Sequence, residues 1–222
     1  MAIGNSIVEV IFSFLSIGQL LVFVTFLNVL VFADRSKKEH RFLIFILTVS
    51  TAIEVISNYF EFYNIGIGML YSTGAFLHNS LWLLLLWHFF AKGHMGAFIV
   101  LPYLLFAVCN MAFAEGTTRF NSYTFIVGAL TYILMFLLMN YALLKKEDLS
   151  FFLSNNYLLL FAPFFFFIGL SFIFAFKSVE LSKQVVFNSF RLYDFINLYV
   201  NIIYYGVLNI YVFREKYIKY AD

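Results

Sequence analysis

Stretches of apolar residues, each about twenty residues long, alternate with short polar segments along the whole chain. Each stretch is long enough to cross about 30 Å of hydrocarbon as a helix that rises about 1.5 Å per residue. The pattern therefore predicts an all-α membrane protein, a single domain over residues 1–222 that forms a seven-transmembrane-helix bundle. The predicted spans are residues 7–32, 42–62, 69–90, 96–113, 123–144, 157–176 and 193–213.

The basic residues are unevenly divided between the two ends of these spans. Ten follow the odd-numbered spans, whereas four lie in the loops at the opposite end. Because cytoplasmic loops carry an excess of Lys and Arg, we expect the N-terminus outside and the C-terminus in the cytoplasm. The longest external loop, 177–190, mixes polar and apolar residues, which predicts a short amphipathic helix or lid at the interface.

Three polar residues of the second span, Glu54, Asn58 and Glu61, recur at helical spacing and fall on one face. A carboxylate at membrane depth is unfavourable by several kcal/mol, so it should face the bundle interior or a water-filled cavity. Helical rise places Glu54 about 12 Å below the outer surface. We therefore predict that the second span turns a polar face towards the interior.

Other spans carry polar residues at similar depth in the outer half of the bilayer. The third span aligns His78 and Trp82 on one face, and the seventh aligns Asp194, Asn197 and Asn201 on one stripe. Together these predict a cup that opens outwards, with acidic and amide groups above and aromatic rings below, which is typical of a small-ligand site. The candidate ligand-binding residues are Glu54, Asn58, His78, Asn79, Trp82, Asn110, Asp194, Asn197 and Asn201.

Structural roles compete with binding for several of these residues. Asn side chains in membrane helices often serve only as interhelical hydrogen-bond partners, which is an alternative for Asn79 and Asn110. Asp194 could be neutralised by Arg191, which precedes it by one turn.

The composition narrows the class of partner. With 63% hydrophobic and 12% charged residues, the chain falls far from a soluble domain, in which about a quarter is charged. The net charge is only +2 and the basic residues are dispersed, so we expect a lipid bilayer and no nucleic acid as partner. A single cysteine excludes an internal disulfide and a cysteine-based zinc site, and no cofactor is predicted.

No enzyme signature accompanies the candidate pocket. The sequence has no H-E-x-x-H motif and no serine between the glycines of a nucleophile elbow, so no catalytic residue is predicted. A zinc site made by Glu54, His78 and Asp194 would require the second, third and seventh spans to adjoin.

Two resemblances concern the outline of the chain. Its size, span number and orientation are similar to those of SWEET-type sugar transporters, where asparagines of the third and seventh spans line the pocket. That resemblance implies Asn79 and Asn197 as the corresponding positions, although the family's Pro-Gln pair is absent here. The segments 52–86 and 197–213 also resemble small seven-span inner-membrane proteins of Bacteroidota-type bacteria, which implies a fold and a membrane but no activity.

These observations predict a multi-pass protein of a bacterial inner (plasma) membrane. We expect it to bind a small polar or cationic solute in an outward-facing intramembrane pocket. It would act as a receptor-like or accessory module with a membrane or cytoplasmic partner protein. One alternative is a solute or ion transporter with Glu54 or Asp194 as the coupling carboxylate. Another is an intramembrane metal-dependent hydrolase.

Overall fold

The computed structural model describes residues 16–90, 95–116, 118–176, 184–187 and 190–221, so the start of the first predicted span lies outside it. Within these ranges the chain is helical apart from loops and one pair of short strands, which confirms the all-helical prediction. The long helices are α1 (Ile17–Phe32), α2 (Lys38–Phe62), α3 (Gly68–Phe90), α4 (Met95–Cys109), α5 (Ser122–Lys145), α6 (Asn155–Ala175) and α7 (Leu192–Ala221).

Two helices continue past the apolar stretches that predict them. Helix α2 begins at Lys38, four residues before the predicted span, and α7 reaches Ala221, eight residues beyond its predicted end. Hydropathy marks only the part of a helix that suits hydrocarbon, whereas backbone hydrogen bonding carries the helix into the polar region. Helix α4 is followed by a π-helical turn, Asn110–Ala114, and a single-turn helix, Ser150–Leu153, precedes α6.

The described part of the loop 177–190 differs from the amphipathic helix predicted for it. Strand β1 (Val185–Phe187) pairs antiparallel with strand β2 (Phe190–Arg191), so the expected amphipathic helix is wrong for these residues. Its β-branched and aromatic residues favour extended structure. The other residues of that prediction, 177–183 and 188–189, lie outside the described ranges.

Six helices form a ring in the order α1, α2, α3, α5, α6, α7, with α7 packing back against α1. Helix α4 lies outside this ring, against α3 and α5. The ring order places α6 opposite α2 and α5 opposite α1. This arrangement decides which side chains can meet in the interior.

Large apolar side chains cover the outside of the bundle. On α4 and the following turn, Phe98, Leu105 and Phe113 are 78%, 67% and 88% exposed. Contiguous apolar surface on this scale is unfavourable in water and is what a lipid-facing surface requires. The lone cysteine, Cys109, is also exposed on α4, as a small apolar side chain on that surface.

Five helices of the described chain are long enough and apolar enough to cross a membrane, which makes the bundle compatible with an integral membrane protein. Helix α3 has the length, but His78, Asn79 and His88 lower its mean hydropathy. The described part of α1 is apolar but only 16 residues long. The apolar segments are Lys38–Phe62, Gly96–Ala114, Ser122–Lys145, Asn155–Ala175 and Leu192–Tyr217.

A polar network centred on Glu215 ties three helices together at the end of the bundle that carries most basic residues. Oε2 of Glu215 lies 2.6 Å from Nζ of Lys37 and 3.5 Å from Nε2 of the buried His40. Asn155 donates from Nδ2 to Oε1 of Glu215 at 2.8 Å. Glu215 therefore connects the starts of α2 and α6 with the end of α7, and its hydrogen bond raises the pKa of Lys37.

Replacement of Glu215 by glutamine is expected to lower the free energy of unfolding by about 1 kcal/mol, because the ion pair with Lys37 is lost while the shape is kept. Since the pKa of Lys37 is raised, this contribution is complete at neutral pH and disappears as the pH rises through that pKa. Unfolding curves in detergent at neutral and alkaline pH measure it. Glu147→Gln, in an exposed loop, is the matched control. Equal curves for the two variants would remove the network's stabilising role.

Candidate functional site

A cavity of about 730 Å³ lies inside the ring of helices. It occupies the half of the bundle in which α1, α3, α5 and α7 begin, which is the external half in the predicted orientation. Along α2 it extends from Val49 to Glu61, about 18 Å of helical rise. Its polar lining residues are Ser16, Gln19, Ser50, Glu54, Asn58, Glu61, Tyr71, His78, Tyr193, Asn197, Asn201 and Tyr205.

One wall of the cavity is a hydrogen-bonded group of acid and amide side chains from α1 and α2. The buried Gln19 donates from Nε2 to Oε2 of Glu54 at 3.1 Å and to Oδ1 of Asn58 at 2.8 Å. Its Oε1 accepts from the backbone N–H of Ser16, and Ser16 Oγ accepts from the backbone N–H of Gln19 in return. This capping box starts α1 and at the same time fixes the amide against Glu54.

Glu54 is half-buried and has no cationic partner in the described part of the chain. Both ion pairs found there involve Glu215, at the opposite end of the bundle. The second carboxylate of the lining is the exposed Glu61, and no described lining residue is Lys or Arg. The cavity lining is therefore acidic, and no cationic side chain of the described ranges pairs with Glu54.

Helix α7 adds two amides between two tyrosines. Asn201 donates from Nδ2 to the backbone carbonyl of Asn197 at 2.8 Å and to its Oδ1 at 3.0 Å. Tyr193 lies nearer the start of the helix and Tyr205 lies deeper. Asp194 belongs to the same helix but is exposed and does not line the cavity.

The floor of the cavity is His78, which is held from below by two buried rings. Trp82 donates from Nε1 to Nε2 of His78 at 3.2 Å and to Oη of Tyr204 at 3.0 Å. Oη of Tyr204 is also 3.2 Å from Nε2 of His78. Beside this triad Tyr132 and Phe167 are fully buried, and Phe167 contacts His78 with ring centroids 5.9 Å apart. The cavity therefore ends halfway through the bundle.

The wall opposite α1 and α2 consists of phenylalanine rings. Phe125 of α5 and Phe174 of α6 contact each other edge to face, with centroids 5.0 Å apart. Phe166 of α6 stacks on Tyr204 with centroids 4.8 Å apart and also contacts His78. Because these rings hold one another in place, they present fixed apolar faces to the cavity.

The structure brings together five of the nine candidate residues, namely Glu54, Asn58, His78, Asn197 and Asn201. The other four are Asn79, Trp82, Asn110 and Asp194. Asn79 is fully buried and donates to the carbonyl of Phe125, while Trp82 lies below the floor. Asn110 donates from Nδ2 to Oγ1 of Thr124 at 2.9 Å and also bonds Glu115, away from the cavity.

The nine candidate residues do not include Gln19 or the tyrosines of the lining. The signal for Gln19 was present, because serine followed three residues later by glutamine before an apolar run is a capping box. It was hidden by the longer apolar stretch that places Gln19 in the middle of the first predicted span.

Within the described residues, no group of three or more His, Cys, Asp or Glu side chains is arranged to hold a metal ion. Glu54 and His78 both line the cavity, but Asp194 does not join them. The zinc site considered from the sequence therefore lacks its third ligand.

Comparisons with protein-family models, with curated proteins and with solved structures give no match to this chain. The resemblances to SWEET-type transporters and to small membrane proteins of Bacteroidota-type bacteria therefore stay predictions. A function for this protein is therefore inferred from the geometry and chemistry of the cavity.

Proposed function

We propose that the protein is a seven-span membrane module that binds a small polar or cationic solute in the cavity between α1, α2, α3 and α7. The observation that carries this proposal is the Glu54 carboxylate, which lines a cavity of about 730 Å³ and has no cationic partner among the described residues. A charged group at such depth calls for a counter-charge or water. A solute that enters the cavity would supply the counter-charge.

The solute would enter from outside the cell. The cavity lies at the end of the bundle that carries few basic residues, and the opposite end holds most of them. In this orientation the N-terminus is external and the C-terminus cytoplasmic, in a bacterial inner membrane. The filled centre below His78 favours a receptor-like or accessory role, in which a membrane or cytoplasmic partner protein responds to the bound solute.

A transporter is the second candidate, and the position of Glu54 favours it specifically. A carboxylate inside a solute cavity can couple uptake to a proton or a cation, whereas Asp194 lies outside the cavity. Transport would require the rings below His78 and the network around Glu215 to separate during each cycle. Flux of solute into proteoliposomes distinguishes this role from a receptor-like one.

Binding is tested by the unfolding midpoint of the purified protein with three classes of small solute: uncharged polyols, zwitterionic amino acids and organic ammonium ions. We expect at least one class to raise the midpoint of the wild-type protein and to lose this effect in Glu54→Gln. Asn140→Leu, which changes an amide outside the cavity lining, is the control and should keep the effect. Failure of all three classes to shift the midpoint would contradict the proposal.

Access is tested by a cysteine at position 197 in a Cys109→Ser background. A membrane-impermeant maleimide should label Asn197→Cys from the external side only. Glu147→Cys, in the loop before the short helix Ser150–Leu153, should be labelled from the other side only. Labelling of both positions from the same side would contradict the orientation.

A further inference from the structure

We propose that the solute is an organic ammonium ion with an apolar body, whose charge lies at Glu54 and whose body lies against the phenylalanine wall. This inference rests on the proposed function and makes it narrower, since a neutral or zwitterionic polar solute would also satisfy the broader proposal. Three features of the cavity support it: its charge, the state of its amides and the contrast between its two walls.

The charge of the cavity favours a cation over an anion or a neutral solute. Its two carboxylates, Glu54 and Glu61, are accompanied by no Lys or Arg among the described lining residues. Glu54 accepts one side-chain hydrogen bond, from the neutral amide of Gln19, whereas an ionised carboxylate can accept about four. A cation beside Glu54 would meet acceptor capacity that the described side chains leave unused.

The amides of the cavity argue against a bare inorganic cation. Metal cations that bind oxygen, such as Ca²⁺ and Mg²⁺, need several oxygen ligands at short distance. Oδ1 of Asn58 accepts one hydrogen bond from Gln19, and Oδ1 of Asn197 accepts one from Asn201, so each of these oxygens has one lone pair left for a metal ion. The cavity is also far larger than a single ion. A larger cation that needs few direct oxygen ligands fits this arrangement better.

The two opposite walls match the two parts of an amphipathic cation. Gln19, Glu54 and Asn58 form the polar wall from α1 and α2. Phe125, Phe166 and Phe174 form the apolar wall across the ring, on α5 and α6. Aromatic faces attract ammonium groups and also pack against hydrocarbon, so they suit both a quaternary head and an apolar substituent. A small polyol such as glycerol would bury few carbon atoms against this wall.

The charge requirement is tested by choline and by the alcohol in which a tert-butyl group replaces its trimethylammonium group. Binding to the protein in nanodiscs of phosphatidylglycerol is measured by calorimetry. We expect choline to bind and the uncharged alcohol, which has the same shape, to bind at least about tenfold more weakly. Equal affinities would overturn the inference while leaving a neutral solute possible under the broader proposal.

The role of each wall is tested by variants. Glu54→Gln should weaken choline binding by about tenfold or more, whereas Asp194→Asn, which removes an exposed carboxylate outside the cavity, should not. Phe166→Leu should weaken benzyltrimethylammonium more than tetramethylammonium, because only the first has a ring to pack on the wall. Unfolding curves without ligand confirm that the variants are folded. An equal effect of Glu54→Gln and Asp194→Asn would overturn the inference.

The same ammonium chemistry occurs in free solutes and in lipid head groups, and nanodiscs of phosphatidylcholine distinguish the two sources. Choline affinity that is equal in phosphatidylcholine and phosphatidylglycerol assigns a free ion as ligand. Affinity that falls in phosphatidylcholine assigns a head group that competes for Glu54. Absence of choline binding in both membranes, when polyols or amino acids do shift the unfolding midpoint, overturns this inference and leaves the proposed function in place.

Discussion

Replacement of Gly128 by alanine is expected to lower the free energy of unfolding by about 1 to 3 kcal/mol, because it overfills a site where three helices meet. A methyl group on Gly128 of α5 would overlap Nδ2 of Asn79 on α3 and would lie 2.8 Å from the ring of Tyr103 on α4. Asn79 is 0% exposed and Tyr103 is 2% exposed, so both side chains are enclosed by neighbouring atoms that resist their movement.

Asn79 is also held in place by its own hydrogen bond. Its Nδ2 donates to the backbone carbonyl of Phe125 at 3.1 Å, and the new methyl group would push against this same nitrogen. Loss of that bond would leave a buried donor unpaired, which is unfavourable by about 1 to 3 kcal/mol. We therefore expect Gly128→Ala to lower the stability, because a small shift of the Asn79 side chain would not relieve the overlap.

Gly206→Ala is the matched control for this prediction. Gly206 lies within α7, and a methyl group there would meet no atom within 4 Å. Since alanine favours helix over glycine, this variant should be neutral or slightly stabilising. Unfolding of both variants in the same detergent measures the difference. Equal stability of Gly128→Ala and Gly206→Ala would show that α3, α4 and α5 are packed less tightly than the structure indicates.

The polar face of α2 shows what a sequence can predict about this site. Glu54, Asn58 and Glu61 recur at helical spacing inside an apolar stretch, and burial of a carboxylate in lipid is unfavourable enough to decide which way that face turns. All three line the cavity. Periodicity was sufficient here because one strong physical effect acts on one helix.

The same periodicity gave no such information for Asp194 and Asn110. Asp194 shares its stripe with Asn201, yet it lies in the first turn of α7, where solvent and the free N–H groups of the helix start stabilise a carboxylate. Asn110 begins a π-helical turn, in which the angle per residue departs from 100°. The direction of a side chain cannot be read from helical spacing at such a position.

The spacing of polar residues predicts even less about which helices are neighbours. Asn79 follows His78 directly in the sequence. In the structure Asn79 contacts α5, whereas His78 lines the cavity. Nothing in the spacing of polar residues specifies that α4 lies outside the ring or that α7 packs against α1. These pairings depend on side-chain shape over the whole bundle, as at Gly169, where a methyl group would overlap Val200.

The largest single loss of stability is expected for Trp82→Ala, about 3 to 5 kcal/mol, because the variant leaves a cavity at the centre of the ring. Trp82 is 0% exposed and packs edge to face on Tyr132 and Tyr204, with centroids 6.3 and 6.0 Å away. The variant also removes the donor that Nε1 supplies to His78 and Tyr204. Unfolding in detergent measures this loss.

Trp82→Phe removes the hydrogen bonds with a smaller change in packing. It keeps an aromatic ring but removes the indole N–H and part of the ring volume, so a smaller loss of about 1 to 3 kcal/mol is expected. The chain has two tryptophans, and Trp87→Phe is the matched control because Trp87 is only half-buried. A loss for Trp82→Phe no larger than that for Trp87→Phe would show that the hydrogen bonds to His78 and Tyr204 contribute little.

The effect of Trp82→Phe on solute binding addresses how the floor and the cavity are connected. Trp82 does not line the cavity, but its Nε1 holds Nε2 of His78, whose ring does. If the triad only fixes the floor, a folded Trp82→Phe protein should bind solute with nearly unchanged affinity while its unfolding midpoint falls. If the affinity falls as steeply as in Glu54→Gln, the indole must act on the solute through His78. Trp82 would then be a positioning residue of the site, because an altered hydrogen bond below His78 would change the ring that the solute contacts.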